Sequence, residues 1–156
     1  EGAIFLIEKV FKEKKIKMPF IIAGLNPTNR LLNLANKYDN ISVRANLSHE
    51  DLQRLIHNAH VNILISFQSA GMKLKLLNAI FTGRFCVVNT PMVEDTGLEK
   101  LCIVQDDHRN IRQILSRLTL TPFQLNHLKI RKEAIGVEFY NEYNAKKVVN
   151  LIENSK

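Results

Sequence analysis

Two lysines stand at the entrance of a strongly apolar segment. Lys73 and Lys75 begin the stretch that continues to Gly83, and its apolar residues are typical of a buried helix. Lysine is unfavourable in the first turn of a helix, because the helix dipole repels a cation there by about 0.3–1 kcal/mol. The same turn has unpaired backbone N–H groups. An anion bound by these N–H groups and a lysine would account for both features.

Asn78 adds a third polar group to this segment. It follows Lys75 by three residues, so the two side chains share one face of the predicted helix, residues 72–82. In the alternative interpretation, both lysines lay their stems along apolar surface and place their ammonium groups in solvent at the sheet rim. The spacing alone leaves both interpretations open.

The elements that would position these residues alternate between strand and helix patterns. Strands are predicted at residues 20–23, 41–44, 61–67, 85–88 and 101–104. Their apolar runs are continuous rather than alternating, which is typical of a parallel sheet covered by helices on both faces. We therefore predict an α/β fold, a Rossmann-like three-layer domain with a parallel sheet of about five strands.

The carboxyl ends of those strands are the expected ligand-binding edge. Four loops follow these ends, at residues 24–27, 45–48, 66–71 and 89–97. Gly24 closes the first strand, and Asn26 is predicted to cap a helix that begins at Pro27. Ser48 and Asp51 resemble a capping box at the start of the next helix. Asp106 and Asp107 are predicted to form a turn and a helix cap rather than an acid–base pair.

Composition narrows the function classes. The chain has 156 residues, with 22 Lys and Arg against 15 Asp and Glu, a net charge of +7. This excess of basic residues favours an anionic partner, which could be nucleotide phosphates, nucleic acid or an anionic membrane face. No apolar run approaches the roughly 20 residues that cross a bilayer. Two cysteines are too few for a disulfide framework, so we expect buried, reduced thiols and a cytoplasmic protein.

Several motifs that carry chemistry in other α/β proteins are missing from the sequence. Gly24 stands alone, whereas a dinucleotide-binding turn needs three spaced glycines. The sequence has no Gly-Lys-Ser/Thr phosphate loop. The five histidines show no metal-ligand spacing, so we expect no metal site.

Residues 71–88 resemble a signature of GT-B glycosyltransferases of the retaining type. That pattern runs Gly-x-Lys/Arg-x-Lys-Leu-x-Glu-Ala-Met-Ala-x-Gly-x-Pro-Val-Val. The matching residues here are Gly71-Met72-Lys73-Leu74-Lys75-Leu76-Leu77-Asn78-Ala79-Ile80-Phe81-Thr82-Gly83-Arg84-Phe85-Cys86-Val87-Val88. The resemblance implies that residues 1–156 are one donor-binding domain, the C-terminal half of a longer two-domain enzyme that moves a sugar from a nucleotide-sugar to an acceptor.

The same resemblance implies roles for particular residues. Lys75 and Lys73 would be catalytic, because they would stabilise the departing diphosphate. The substrate-binding positions would be Gly24, Asn26, Ala45, Asn46, Leu47, Ser66, Gly71, Met72, Asn78, Thr96 and Gly97. The donor is a substrate, so no cofactor is implied. The implied partners are the donor and an N-terminal acceptor-binding domain of the same chain, with no nucleic acid.

The resemblance also implies a role in the synthesis of a bacterial-type glycan or polysaccharide. The basic terminal regions of the chain could attract the anionic inner face of a membrane. The fragment alone is expected to be inactive, because it would hold only half of the site.

The sequence departs from the family pattern at two positions. Asn78 stands where the family has a ribose-binding glutamate, and an amide lacks the charge-assisted hydrogen bonds of a carboxylate. Gln68 or Ala70 stands where the family has an acidic residue facing the sugar. These departures keep open a non-catalytic binding domain derived from the same fold. The basic charge keeps open a nucleic-acid-binding domain, although no stretch interleaves basic and aromatic residues.

Overall fold

The protein is described by a computed structural model that covers residues 1–12, 16, 18–68, 73–134 and 141–153. Its contacts divide the chain into two compact units, Glu1–Phe123 and Gln124–Lys156. The first unit contains all of the described strands and the residues predicted to carry function. Among the described residues, no helix combines the length and apolar character needed to cross a membrane.

Strands and helices alternate through the first unit, as predicted. In chain order the elements are α1 (Gly2–Phe5), a π-helical segment (Leu6–Phe11), β1 (Phe20–Gly24), α2 (Asn29–Ala35), β2 (Ile41–Ala45), α3 (His49–Asn58), β3 (Val61–Leu64), α4 (Leu74–Thr82), β4 (Phe85–Val88), α5 (Thr90–Val93), a 3₁₀ turn (Glu99–Leu101), β5 (Ile103–Val104) and α6 (His108–Leu118).

All of the strand pairs are parallel, which confirms the predicted α/β class. β1 pairs with β2, and β4 lies between β3 and β5. The prediction of one sheet of about five strands is wrong, because the described strands form a two-stranded and a three-stranded sheet. Within the described part of the chain, no hydrogen-bonded ladder joins β1 to β3. β5 is also shorter than predicted, since Leu101 belongs to the 3₁₀ turn and donates its N–H to Leu98.

Both sheets contribute to one hydrophobic core. The π-helical segment buries its apolar face there, and the rings of Phe11 and Phe20 stack with their centroids 4.1 Å apart. Fully buried members of this core are Ile7, Val10, Val87 and Ile111. Burial of aliphatic and aromatic side chains of this size contributes about 1.5–3 kcal/mol each. This packing holds the strands whose carboxyl ends carry the candidate residues.

The start of α2 differs from its prediction. Asn26 does not cap the helix and Pro27 is not its first residue, because the helix begins at Asn29. Thr28 is the N-cap residue, and its hydroxyl accepts a hydrogen bond from the Leu31 N–H at 3.3 Å. A threonine hydroxyl is a good cap acceptor, so the loop after β1 is longer than the sequence suggested.

The start of α3 confirms its predicted cap. The Ser48 hydroxyl accepts from the Asp51 N–H at 3.1 Å and donates to the Asp51 carboxylate at 2.7 Å. Arg54 donates to the other carboxylate oxygen at 2.6 Å. The Ser48 hydroxyl and the Arg54 guanidinium both lower the pKa of Asp51, because each hydrogen bond favours the charged carboxylate.

The second unit contains α7 (Leu125–Ala134) and α8 (Asn141–Glu153). α7 begins three residues after Pro122. In α8, Val149 and Ile152 are exposed. The described candidate site residues all lie in the first unit.

Candidate functional site

The candidate residues gather where parallel strands end. Gly24 and Ala45 are register partners at the carboxyl ends of β1 and β2. Ser66 follows β3, and Asn89 follows β4 directly. Because neighbouring strands in each sheet run in the same direction, these loops share the carboxyl edge of their sheet. We call the end of β1 and β2 the first edge, and the end of β3 and β4 the second edge.

The first edge is built by two asparagines with left-handed backbones. Asn26 has a φ of 44° and Asn46 a φ of 54°, a conformation that asparagine adopts more readily than most residues. The Asn46 N–H donates to the Gly24 carbonyl at 3.0 Å. The Asn46 amide oxygen accepts from the Asn26 N–H at 2.9 Å. Three predicted site residues are therefore joined in one hydrogen-bonded turn.

This first edge is open. A methyl group added at Gly24 would meet no atom within 4 Å. Ala45 and Asn46 are exposed, and Leu47 is half-buried. The first edge therefore offers small side chains and accessible backbone to a ligand.

The second edge is held by a buried amide. Asn89 is only 8% exposed. Its amide oxygen accepts from the Ser66 N–H at 3.0 Å, and its amide nitrogen donates to the Ser66 carbonyl at 2.6 Å. These two hydrogen bonds continue the pairing of β3 and β4 beyond the strands, with the Asn89 side chain in place of a backbone group. Asn89 was not predicted as a site residue, although a polar residue directly after a buried strand was an available signal.

Lys73 ties two loops of the second edge together. Its ammonium donates to the Gln68 carbonyl and to the Pro91 carbonyl, both at 3.1 Å. An ammonium group has three N–H donors, so one remains for a further acceptor. Lys73 is the residue before the first helical residue of α4, whereas the prediction began that helix at Met72. Met72 and Gly71 lie outside the described residues.

Lys75 is placed differently from Lys73. It is exposed at the second position of α4. No hydrogen bond or ion pair to its ammonium occurs within the described part of the chain. The unfavourable position inferred from the sequence is therefore real, and no protein carboxylate described here compensates for it.

Asn78 turns toward α3. Its amide oxygen accepts a long hydrogen bond of 3.5 Å from Gln53, and the Gln53 oxygen accepts from the Thr82 hydroxyl at 3.0 Å. The side chain is half-buried. Gln53 therefore bridges Asn78 and Thr82 and holds α3 against α4.

Gly83 ends α4 for a steric reason. Its φ is −90°, so the left-handed cap expected of a helix-terminal glycine is not used. A methyl group at this position would approach the Ala79 carbonyl oxygen to 2.6 Å and would overlap the Asn62 side chain. Asn62 lies in β3, so Gly83 allows the end of α4 to pack closely on the sheet.

Thr96 and Gly97 shape the loop after α5. The Thr96 hydroxyl donates to the Val93 carbonyl at 2.6 Å and accepts from the Leu98 N–H at 3.2 Å. Gly97 has a φ of 70° and open space around its Cα. The turn therefore needs glycine for its backbone conformation and leaves that position accessible.

Asp107 has the helix-cap role that was predicted for it, whereas Asp106 binds the start of α5 rather than forming a turn. Asp106 accepts from the Thr90 N–H at 2.8 Å and from its hydroxyl at 2.6 Å. Asp107 caps α6 by accepting from the N–H groups of Asn110 and Arg109. These backbone hydrogen bonds lower the pKa of Asp107, because they favour the carboxylate over the acid.

The family of the chain follows from a comparison with known protein families. The family model of the group 1 glycosyl transferases matches residues 1–119. The chain belongs to this family. No curated protein matches the chain. The matched region contains both edges and every described strand, so the glycosyl transferase match and the parallel α/β fold concern the same part of the molecule.

The glycosyl transferase domain brings the described candidates together in separate groups. Gly24, Asn26 and Asn46 meet at the first edge. Ser66 and Lys73 meet at the second edge through the loop at Gln68. Asn78 is linked to α3, and Thr96 and Gly97 form the turn after α5. Among the described residues, no group of three or more His, Cys, Asp or Glu side chains could hold a metal ion.

Proposed function

We propose that this group 1 glycosyl transferase domain binds a nucleotide-sugar donor at the carboxyl edge of its sheets. It would be the C-terminal, donor-binding half of a retaining GT-B enzyme that transfers a sugar to an acceptor in bacterial-type glycan synthesis. The observation that carries this proposal is the exposed ammonium of Lys75 at the second position of α4, unpaired within the described part of the chain.

The chemistry of glycosyl transfer supports this assignment. The bond between the sugar and the nucleoside diphosphate breaks, and negative charge develops on the departing diphosphate. Fixed cations and backbone N–H groups stabilise such charge without reorganisation. Lys75 and the first N–H groups of α4 would supply this stabilisation, because a helix N-terminus attracts anions.

Lys73 would assist in a second way. Its ammonium joins the carbonyls of Gln68 and Pro91, so it fixes the loops on either side of the proposed diphosphate site. Its third N–H can donate to a phosphate oxygen. Lys73 would therefore shape the site and bind one phosphate oxygen, whereas Lys75 would reach the donor from solvent.

The nucleoside would lie toward the first edge. Ala45, Asn46 and Leu47 would flank the base, and Gly24 and Asn26 would line the cleft, where small and exposed residues leave room. Asn78 would contact the ribose. Its oxygen accepts from Gln53, which leaves its amide N–H groups to donate to a ribose hydroxyl.

The proposal includes a second domain of the same polypeptide. Three large apolar side chains are exposed at this end of the sheets: Leu25 after β1, Phe67 after β3 and Leu74 at the start of α4. Exposed apolar groups of this size favour burial against a partner. An acceptor-binding domain closing over the edge would cover them. In the same proposal the enzyme works in the cytoplasm, at the inner face of the membrane.

Calorimetry with uridine diphosphate and guanosine diphosphate tests the donor site directly. We expect the chain to bind one of them, and we expect Lys75→Ala to weaken that binding by about 10- to 100-fold, since a hydrogen bond to a charged group contributes about 1.5–3 kcal/mol. Lys37→Ala is the matched control, because Lys37 is an exposed lysine that precedes β2 rather than following a strand.

The outcomes separate the proposal from its alternatives. If neither diphosphate binds, or if both variants bind as the unmodified chain does, Lys75 has no role in donor binding. If a diphosphate binds but the full-length protein transfers no sugar from any activated donor, the domain is a non-catalytic descendant of the fold.

A further inference from the structure

The two cysteines of the chain lie on neighbouring parallel strands. Cys86 belongs to β4, and Cys102 directly precedes β5. In this pair of strands Val87 lies opposite Ile103, and Val88 lies opposite Val104. One step back along the same register places Cys86 opposite Cys102. The backbone of Cys102 is extended, with φ −121° and ψ 160°, so the register continues to this residue.

This juxtaposition fits the geometry of a disulfide. Neighbouring strands lie about 4.8 Å apart, and disulfides join residues whose Cα atoms are about 4.4–6.8 Å apart. Residues opposite each other in a parallel sheet also direct their side chains to the same face. Both cysteines are thiols in the structure, so the pair is present in its reduced form.

The two thiols differ in accessibility. Cys86 is 2% exposed, and its other register partner is Asn62. The Asn62 amide donates to the Ile56 carbonyl of α3, so this face of the sheet lies beneath that helix. Cys102 is partly exposed at the end of the 3₁₀ turn. One thiol can therefore meet an oxidant from solvent, while the other is protected beside it.

We propose that Cys86 and Cys102 form an oxidisable dithiol that closes as a disulfide between β4 and the start of β5. The oxidant would be a small disulfide such as oxidised glutathione. The Cys102 thiolate attacks one glutathione sulfur, the glutathione disulfide bond breaks, and one glutathione thiolate leaves. The Cys86 thiolate then attacks the Cys102 sulfur and releases the second glutathione. The protein loses two electrons and two protons, and one oxidised glutathione becomes two reduced molecules.

The link would fasten the most weakly paired strand of the second sheet. β5 has only two residues, and Asp106 beyond it holds Thr90 at the start of α5. The disulfide would close the chain from residue 86 to residue 102 into a covalent loop, which includes the turn at Thr96 and Gly97. Restricting a loop in the unfolded chain stabilises the folded state. This inference does not depend on the proposed donor binding.

Trypsin offers a direct test, because it separates the two thiols. Cleavage after Arg84, Lys100 and Arg109 leaves Cys86 in the peptide 85–100 and Cys102 in the peptide 101–109. The folded chain is incubated with oxidised glutathione, alkylated and digested without reduction. We expect the two peptides to appear as one linked species that dithiothreitol separates.

Two variants keep the test informative. In Cys86→Ala the resolving thiol is missing, so Cys102 should accumulate a lasting mixed disulfide with glutathione. In Cys102→Ser the buried Cys86 should stay reduced. We also expect oxidation to raise the urea midpoint of the unmodified chain and to raise that of neither variant.

Three results would overturn the inference. They are a stable mixed disulfide on Cys102 of the unmodified chain without the linked peptides, a disulfide between two copies of the chain, and two thiols that stay reduced in the folded chain. Each would show that the folded chain does not form the proposed disulfide.

Discussion

The loops of the first and second edges are held together by different kinds of interaction. At the first edge, two exposed asparagines with positive φ form a turn, and Gly24 leaves open space. At the second edge, buried Asn89 and the ammonium of Lys73 fasten loops through side-chain hydrogen bonds to carbonyl groups. Hydrogen bonds in a buried setting are costly to break, whereas an exposed turn can exchange its hydrogen bonds with water.

This contrast indicates that the second edge positions the start of α4, whereas the first edge is accessible to a ligand. At the second edge, buried Asn89 and half-buried Lys73 join neighbouring loops by hydrogen bonds, so this edge can hold the start of α4 in place. The first edge is accessible because small residues and backbone line it. A substitution at the second edge should therefore affect catalysis or folding strongly, and one at the first edge should have a modest effect.

The largest expected effect is that of Lys75→Ala on turnover by the full-length enzyme. Loss of one fixed donor to a departing anion lowers kcat by about 10²–10³. Steady-state kinetics with the nucleotide-sugar measures the change. Lys75→Arg keeps the charge and should recover part of the rate. An unchanged kcat in Lys75→Ala would remove this lysine from the proposed mechanism.

The second largest effect is that of Asn89→Ala on stability. The change leaves the N–H and the carbonyl of Ser66 without their partner, and each unsatisfied buried group costs about 1–3 kcal/mol. We expect a loss of about 3 kcal/mol in the free energy of unfolding, measured with urea. Asn33→Ala, in the exposed face of α2, is the control and should change little. Equal stability of the two variants would mean that Asn89 does not hold the second edge together.

A smaller loss is expected at Asn46. Asn46→Ala removes the acceptor for the Asn26 N–H and places alanine at a positive φ, which costs about 1–2 kcal/mol. Asn46→Gly removes the same acceptor but tolerates the backbone conformation. Urea unfolding should therefore rank the unmodified chain first, the glycine variant second and the alanine variant last. If alanine and glycine destabilise equally, the backbone conformation is not the source of the cost.

The smallest effect is a pH dependence at the start of α6, away from both edges. The pKa of Asp107 is lowered in the folded chain, so its charge stabilises the fold above the unfolded pKa of about 3.9. That stabilisation disappears as the pH falls through the lower, folded pKa. Asp107→Asn keeps the cap but not the charge. The difference in Tm from the unmodified chain should therefore be present at about pH 6 and should be lost as the pH falls through the folded pKa.

Asp39→Asn serves as the control for this titration. It removes the same charge from an exposed turn that caps no helix. This variant therefore measures the effect of losing one negative charge without the loss of a helix cap. A parallel pH profile for the two variants would mean that the cap at Asp107 does not depend on its charge.

The fold class was predictable because the spacing of apolar residues along a short segment indicates whether that segment is a buried strand or a helix. Continuous apolar runs indicated parallel strands, and the cap residues Ser48 and Asp107 were read correctly from their spacing. The division into two sheets was not predictable, because strand pairing depends on contacts between residues far apart in the sequence. The start of α2 was misplaced because Asn26 and Thr28 are both good caps, and only the backbone conformation distinguishes them.

The chemical roles of the candidate site residues stay predictions. The sequence left open whether Lys75 binds an anion or extends into solvent, and the structure places it in an exposed position. Sequence could not show that Lys73 donates to two carbonyls, because Pro91 lies in a distant loop. Asn89 was missed since a single asparagine after a strand is common in turns, and only its burial reveals its role.

The close packing at Gly83 has a consequence for the opposite end of the same helix. α4 has nine residues and a length of about 14 Å. Lys75 lies at the end of this helix that is opposite Gly83. Adding one methyl group at Gly83 would force the end of α4 or the Asn62 side chain to move. The position proposed for Lys75 beside a diphosphate thus depends on the absence of a side chain at the other end of the helix.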